Sequence, residues 1–178
     1  MADFINLPLR NESGAFHVVV EAPRGSKVKM KYDPTMNAFV FGRALPLGVA
    51  YPYDWGFFPS TCADDGDPLD AMILFEAATW PGSIVAVKPI GIVRVVQRDE
   101  RKGPKLRNDR VIVTPIDDPR HKHVRDLPDR MIRELEQFFA TASALTGKVI
   151  EIGGWDGPKQ ATRAIVAAAE RYVKRGLK

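Results

Sequence analysis

"SIVAVKPIGIVRVV", residues 83–96, is the longest of several Val- and Ile-rich runs in this chain and reads as a strand. Gly91, inside its "IGIV", marks a bulge or bend where a barrel turns a corner. Working outward, "FHVVVE" (16–21), "KVKMKY" (27–32), "AFVFG" (38–42), "DAMILF" (70–75) and "RVIVTPI" (110–116) have the same composition. Pro, Gly and Asp clusters separate them, and no helical pattern intervenes, so the first two-thirds point to a barrel or sandwich. The period then changes. After Pro128, apolar residues fall at Met131, Leu135, Phe138 and Ala142, with Gly147 beyond the end. A second series, Ala161, Ile165, Ala168 and Tyr172, follows Pro158. "KVIEI" (148–152) adds a strand between them. The expected fold is a β-barrel core with two amphipathic helices on its outside, residues 1–178 forming one domain.

The composition is that of an ordinary globular protein, 45% hydrophobic and 27% charged. No apolar run reaches membrane-spanning length, and "MADFINLPLR" lacks the layout of a secretory signal. One cysteine, Cys62, excludes an internal disulfide and fits a reducing compartment, so the cytoplasm is expected. The net charge of +4 is concentrated in one place. Residues 94–110 hold seven of the 26 Lys/Arg and three of the 22 Asp/Glu, leaving 19 of each elsewhere. That segment reads as a solvated loop, as an anion-gathering rim, or as a nucleic-acid patch. It contains no aromatic residue for base stacking, which argues against nucleic acid.

"DDGDPLD" (64–70) puts four aspartates into seven residues around a Gly-Asp-Pro turn. Carboxylates converging from a tight turn suit a hard divalent cation such as Mg²⁺, which prefers oxygen ligands. An acidic surface turn is the plainer alternative, since Asp and Gly favour turns. Against it stand the density of aspartates and the matching cations Lys29, Lys31 and Arg43. His121 and His123, without a further nearby Cys or His, make a poor zinc pair.

These residues resemble the soluble, metal-dependent (family I) inorganic pyrophosphatases. "DDGDPLD" matches that family's signature, and "VVVEAPRGSKVKMKYD" (18–33), "FVFGRALPLGVAYPYDWGFFPST" (39–61), "PGSIVAVKPIGIVRV" (81–95) and "GKVIEIGGWDG" (147–157) follow in the family's order. The resemblance implies an OB-like five-stranded closed β-barrel with two peripheral C-terminal α-helices, an α+β protein that is mainly β. It implies hydrolysis of pyrophosphate to two phosphates with Mg²⁺, Mn²⁺ being a possible substitute, in a homo-oligomer, commonly a hexamer. Residue by residue, it puts Asp65 and Asp70 on metal and Asp67 on the attacking water. It puts Lys29, Arg43, Tyr51 and Arg110 on phosphate, and Glu21 beside them.

The chain departs from the family pattern near the same place. Lys31 stands for a glutamate, Trp55 for a tyrosine, Gln97 and Asn108 for metal-binding aspartates, Arg110 for a lysine, and Ala142 and Ser143 for a Tyr-Lys pair. Asp109, Asp99 or Glu100 would replace the missing carboxylates if the longer basic loop shifts register, and Asp109 is expected among the metal ligands. If none does, the metal site is weakened, and a degenerate barrel binding phosphorylated ligands becomes the alternative reading.

Overall fold

The 83–96 run is one strand, and its length lets it close a ring. The computed structural model describes residues 3–99, 103 and 105–176. Its strands are β1 (Phe16–Ala22), β2 (Val28–Asp33), β3 (Ala38–Ala44), β4 (Asp54–Phe57), β5 (Asp70–Ile73), β6 (Ile84–Asp99), β7 (Leu106–Arg107), β8 (Arg110–Pro115) and β9 (Lys148–Asp156). The order β1-β4-β5-β8-β6 returns from β6 to β1, so five strands form a closed ring, as expected. The start of β6 pairs with β1, its middle with β8, and its distal half with β9. Only β5 and β8 pair in parallel within the ring. β2 and β3 form their own two-stranded sheet outside it. β4 was not expected as a strand: four residues containing a glycine and bracketed by prolines carry too little pattern.

Gly91 is a bend, and also a point of close approach. The β6–β8 register slips between Pro89 and Gly91. A Cβ at Gly91 would collide with the Val124 side chain and come within 2.6 Å of the Asp156 carbonyl oxygen. Gly91→Ala is therefore expected to destabilise the protein by about 1–3 kcal/mol through overpacking, read as a lower denaturant midpoint.

Alternation along the strands supplies two apolar faces. Val18, Val20, Ala71, Ile73, Val111 and Val113 pack with Ala161, Ile165 and Ala168 of α2 (Pro158–Lys174). Met72, Leu74, Ile90 and Ile112 pack with Leu135, Phe138 and Phe139 of α1 (Asp129–Ser143). Each fully buried Leu, Ile or Phe contributes roughly 1.5–3 kcal/mol. Pro158 opens α2 as its first helical residue, whereas Pro128 sits one position before α1, as its cap.

Candidate active site

The acidic turn lies between β4 and β5. Gly66 takes φ +92°, a left-handed conformation that suits glycine, and the Asp67 backbone N–H donates to Asp65 Oδ1 at 3.2 Å. Asp70 is the first residue of β5, and the parallel pairing of Ala71 with Val111 sets it beside Arg110 at the start of β8. Burial raises the Asp65 pKa above the usual carboxylate range, and the nearby charges of Asp70 and Asp67 add to the shift.

Glu21 reaches the same side through a bulge. The β1–β4 register slips between Val20 and Ala22, so Glu21 is the extra residue and its side chain is re-aimed. It is buried, and it accepts the Tyr32 backbone N–H at 2.8 Å, which ties the β2–β3 hairpin to the ring. Burial pushes its pKa up to about 7 against the lowering effect of that hydrogen bond.

The cations come from the hairpin and from β8. Lys29 and Arg43 are directly opposite one another across β2 and β3. Like charges in that position repel, which favours an anion between or beside them. Both line a small cavity of about 50 Å³ together with Tyr51, Trp55 and Arg110. The Arg110 guanidinium lies 2.7 Å from Asp70 Oδ2, donates to the Asn108 carbonyl at 2.8 Å, and sits 5.3 Å over the Trp55 ring. Tyr51 is buried, which raises its pKa, and the charge of Asp70 adds to this. Phe138, Phe139, Ala142 and Ser143 of α1 complete the cavity wall, so small neutral residues stand where the resemblance implied Tyr and Lys.

Glu21, Lys31 and Asp67 open instead onto a second cavity of about 440 Å³. Asp70 joins the two, since its charge acts on Glu21, Asp65 and Tyr51 alike. A larger cleft of about 610 Å³ near the N-terminal ends of both helices, lined by His123, Trp155 and Lys159, contains none of these groups. His123 itself caps the short 3-10 turn Val124–Asp126.

Asp109 lies apart from Asp65, Asp67 and Asp70. Arg110 lines the 50 Å³ cavity, whereas Asp109 lines another, with Asp64 and with Ala164 and Ala167 of α2. There one oxygen accepts the Val95 N–H at 3.0 Å and the other accepts from Arg107 at 2.6 Å. The expectation that Asp109 binds metal thus meets a side chain engaged at both oxygens by protein donors. Asn108 and Gln97 do lie together, 3.3 Å apart, but as neutral amides. The Asp99 side chain and Glu100 lie outside the described residues. Among the described residues of the basic segment, Arg94 pairs with Asp156, Arg98 and Lys105 with Glu151, and Arg107 with Asp109.

The end of α2 holds the acidic turn from behind, an arrangement with no signature in the sequence. Cys62 N–H donates to the Ala168 carbonyl at 2.9 Å, and Arg171 Nε donates to the Cys62 carbonyl at 2.8 Å. Arg171 also lies 3.5 Å from Asp64, and Arg175 lies 3.1 Å from the buried Cys62 Sγ.

Asp65, Asp67 and Asp70 offer only oxygen donors, which fits a hard divalent cation in kind. No ion pair involves Asp65 among the described residues. The three do not converge on one point as they stand, since Asp67 is turned to Lys31 and Asp70 to Arg110.

The model of the family described as inorganic pyrophosphatase matches residues 18–173. An inorganic pyrophosphatase of Synechocystis sp. is 37% identical over 97% of this chain and 98% of its own. One of Thermus thermophilus is 36% identical over 97% of this chain and 99% of its own. A crystal structure of the Thermus thermophilus inorganic pyrophosphatase superposes with a TM-score of 0.87 at 34% identity, covering 96% of this chain and 99% of that one. Strand ring, acidic turn and opposed cations thus coincide with a match along nearly the whole length, and the chain belongs to the inorganic pyrophosphatase family.

Proposed function

We propose that this protein hydrolyses inorganic pyrophosphate to two phosphates with the help of a divalent cation, Mg²⁺ in the first place and Mn²⁺ as a substitute. The observation that carries the reading is the meeting of two opposite half-sites at the Asp70–Arg110 pair: Asp67 and Glu21 on one side, Lys29, Arg43 and Tyr51 on the other. Asp65 and Asp70 would hold the cation, which supplies Lewis acidity toward water and phosphate oxygen. In this reading Asp67 Oδ takes the proton of the attacking water. Arg43, Lys29 and Arg110 bind and orient the phosphates, whose charge is matched by fixed cations. The Tyr51 hydroxyl, whose protonated form burial favours further, donates to a phosphate oxygen.

A degenerate ligand-binding barrel is the less favoured reading, because the resemblance to inorganic pyrophosphatases runs the full length of the fold. Among the described residues no helix is long and apolar enough to cross a membrane. We propose further that residues 1–178 work as one domain in a cytoplasmic homo-oligomer.

Phosphate release from pyrophosphate by the purified protein, with Mg²⁺ and then Mn²⁺, tests the reading directly. No release with either ion would refute it. Arg43→Ala is expected to weaken pyrophosphate binding by roughly 10–100-fold, the scale of one charge-assisted contact, as read by calorimetry.

A further inference from the structure

Two amides behind Arg110 have no part in the chemistry proposed above. Gln97 sits in the distal half of β6, paired with Leu106 of β7 on one side and with Ile150 of β9 on the other. Asn108 is buried between β7 and β8, and its backbone N–H donates to the Val95 carbonyl at 2.8 Å. Arg110 lines the 50 Å³ cavity, and neither amide does. A chain of hydrogen bonds nevertheless joins them to it. Arg110 Nη1 donates to the Asn108 side-chain oxygen and to the Asn108 backbone carbonyl, and the Asn108 amide nitrogen donates to Gln97 Oε1 at 3.3 Å. The direction of this chain is forced. A guanidinium only donates, so the Asn108 oxygen turns toward it. The Asn108 NH₂ is then left needing an acceptor, which Gln97 supplies.

One nitrogen carries all of the Arg110 contacts. Nη1 also lies 2.7 Å from Asp70 Oδ2, whereas Nε and Nη2 make no hydrogen bond among the described residues. Those two nitrogens form one edge of the planar group, a fork suited to two oxygens of a phosphate side by side. The side chain is only 11% exposed, and the Trp55 ring lies 5.3 Å from the guanidinium carbon, covering one face. We infer that Gln97 and Asn108 are a positioning relay for Arg110: they commit Nη1 to the protein and keep the Nε–Nη2 edge for two oxygens of one phosphate. The inference rests on the phosphate-binding role proposed for Arg110. Neutral amides suit this place, because an amide oxygen orients the guanidinium without competing with a phosphate for its charge.

The test compares wild type with Asn108→Leu, with Gln97→Leu, and with each of these combined with Arg110→Gln, using pyrophosphate as the probe. In Asn108→Leu, which removes an acceptor from a charged donor, kcat/KM is expected to fall roughly tenfold or more. In Gln97→Leu, which frees the amide to turn its nitrogen toward Arg110, the fall should be about 2–10-fold. In the Arg110→Gln background both effects should shrink to less than about twofold, because the group being positioned is gone. A merely structural role would lower activity equally with or without Arg110. Nuclear magnetic resonance of the substrate-free protein gives a second readout. The Arg110 guanidinium N–H signals, identified by their absence in Arg110→Gln, should change in both leucine variants as the group is released to rotate. Melting curves confirm that each variant is folded, and Gln97→Leu carries the comparison if Asn108→Leu does not fold. Wild-type kcat/KM in the leucine variants overturns the inference, and so do losses that persist undiminished with Arg110→Gln, or unchanged guanidinium signals. A wild type that releases no phosphate refutes the proposed function instead, and the resonance comparison then decides the relay by itself.

Discussion

Asp67→Asn is expected to lower pyrophosphate hydrolysis by roughly 10²–10⁴-fold, the usual contribution of a positioned proton acceptor. The amide keeps the size of the side chain and cannot take the proton. Stability should hardly change. Asp67 is exposed, its ion pair with Lys31 is exposed, and such a pair is worth about 0.2–1 kcal/mol. For a chain of this length the melting temperature should therefore fall by less than about 4 °C. The Asp67 N–H bond to Asp65 that shapes the turn is a backbone feature and survives the substitution. Phosphate release and a thermal melt on the same preparation decide the matter. Near-normal turnover in a folded Asp67→Asn protein would remove Asp67 from the chemistry.

Arg110→Ala should damage both activity and stability. The guanidinium serves Asp70, the Asn108 carbonyl and the face of Trp55 at once. Its loss strands Asp70, whose side chain is only 22% exposed, without a counter-charge. Breaking a well-buried pair costs about 3–5 kcal/mol, and residual exposure puts this one near 3 kcal/mol. The melting temperature should drop by roughly 6–12 °C. Activity should fall by about 10²-fold or more if Arg110 binds phosphate as proposed, since a fixed cation of the site disappears. Arg110→Lys keeps the charge but loses the planar fork, and should fall between the two. Adding Asp70→Asn to Arg110→Ala should recover part of the lost stability, because removing both partners costs less than leaving one alone. A wild-type melting curve for Arg110→Ala would show that the pair carries no such weight.

The strands that close the ring were legible because Val and Ile concentrate in β1, β5, β6 and β8, and the helices because Leu135, Phe138, Ile165 and Ala168 keep helical spacing. β4 was not, since "DWGF" is short and its pairing with β1 and β5 is a tertiary fact. The bulge at Glu21 is a matter of register between two strands, which one strand's sequence does not record. The motif brought Asp65, Asp67 and Asp70 into view, and the structure places Lys29, Arg43, Tyr51 and Arg110 around one cavity. Asp109 is held away from them by the Val95 N–H and Arg107, contacts between segments that the sequence does not record. The Lys31–Asp67 contact joins residues 36 apart in sequence, so only the charges, and not their meeting, could be anticipated.

The grip of α2 on the acidic turn sets an order on how the protein is made. The aspartates leave the ribosome with the first half of the chain, and so do every strand from β1 to β5 and the opposed cations Lys29 and Arg43. The backbone and side-chain contacts that fix the turn arrive with Ala168, Arg171 and Arg175. At about 5–20 residues per second, the hundred or so residues between Asp70 and Arg171 represent roughly 5–20 s of synthesis. During that interval the turn has its own hydrogen bonds, such as Ala63 N–H to the Asp67 carbonyl and Asp67 N–H to Asp65, but lacks the brace from α2. The bracing of the acidic turn is thus completed by residues translated about a hundred positions after the aspartates themselves.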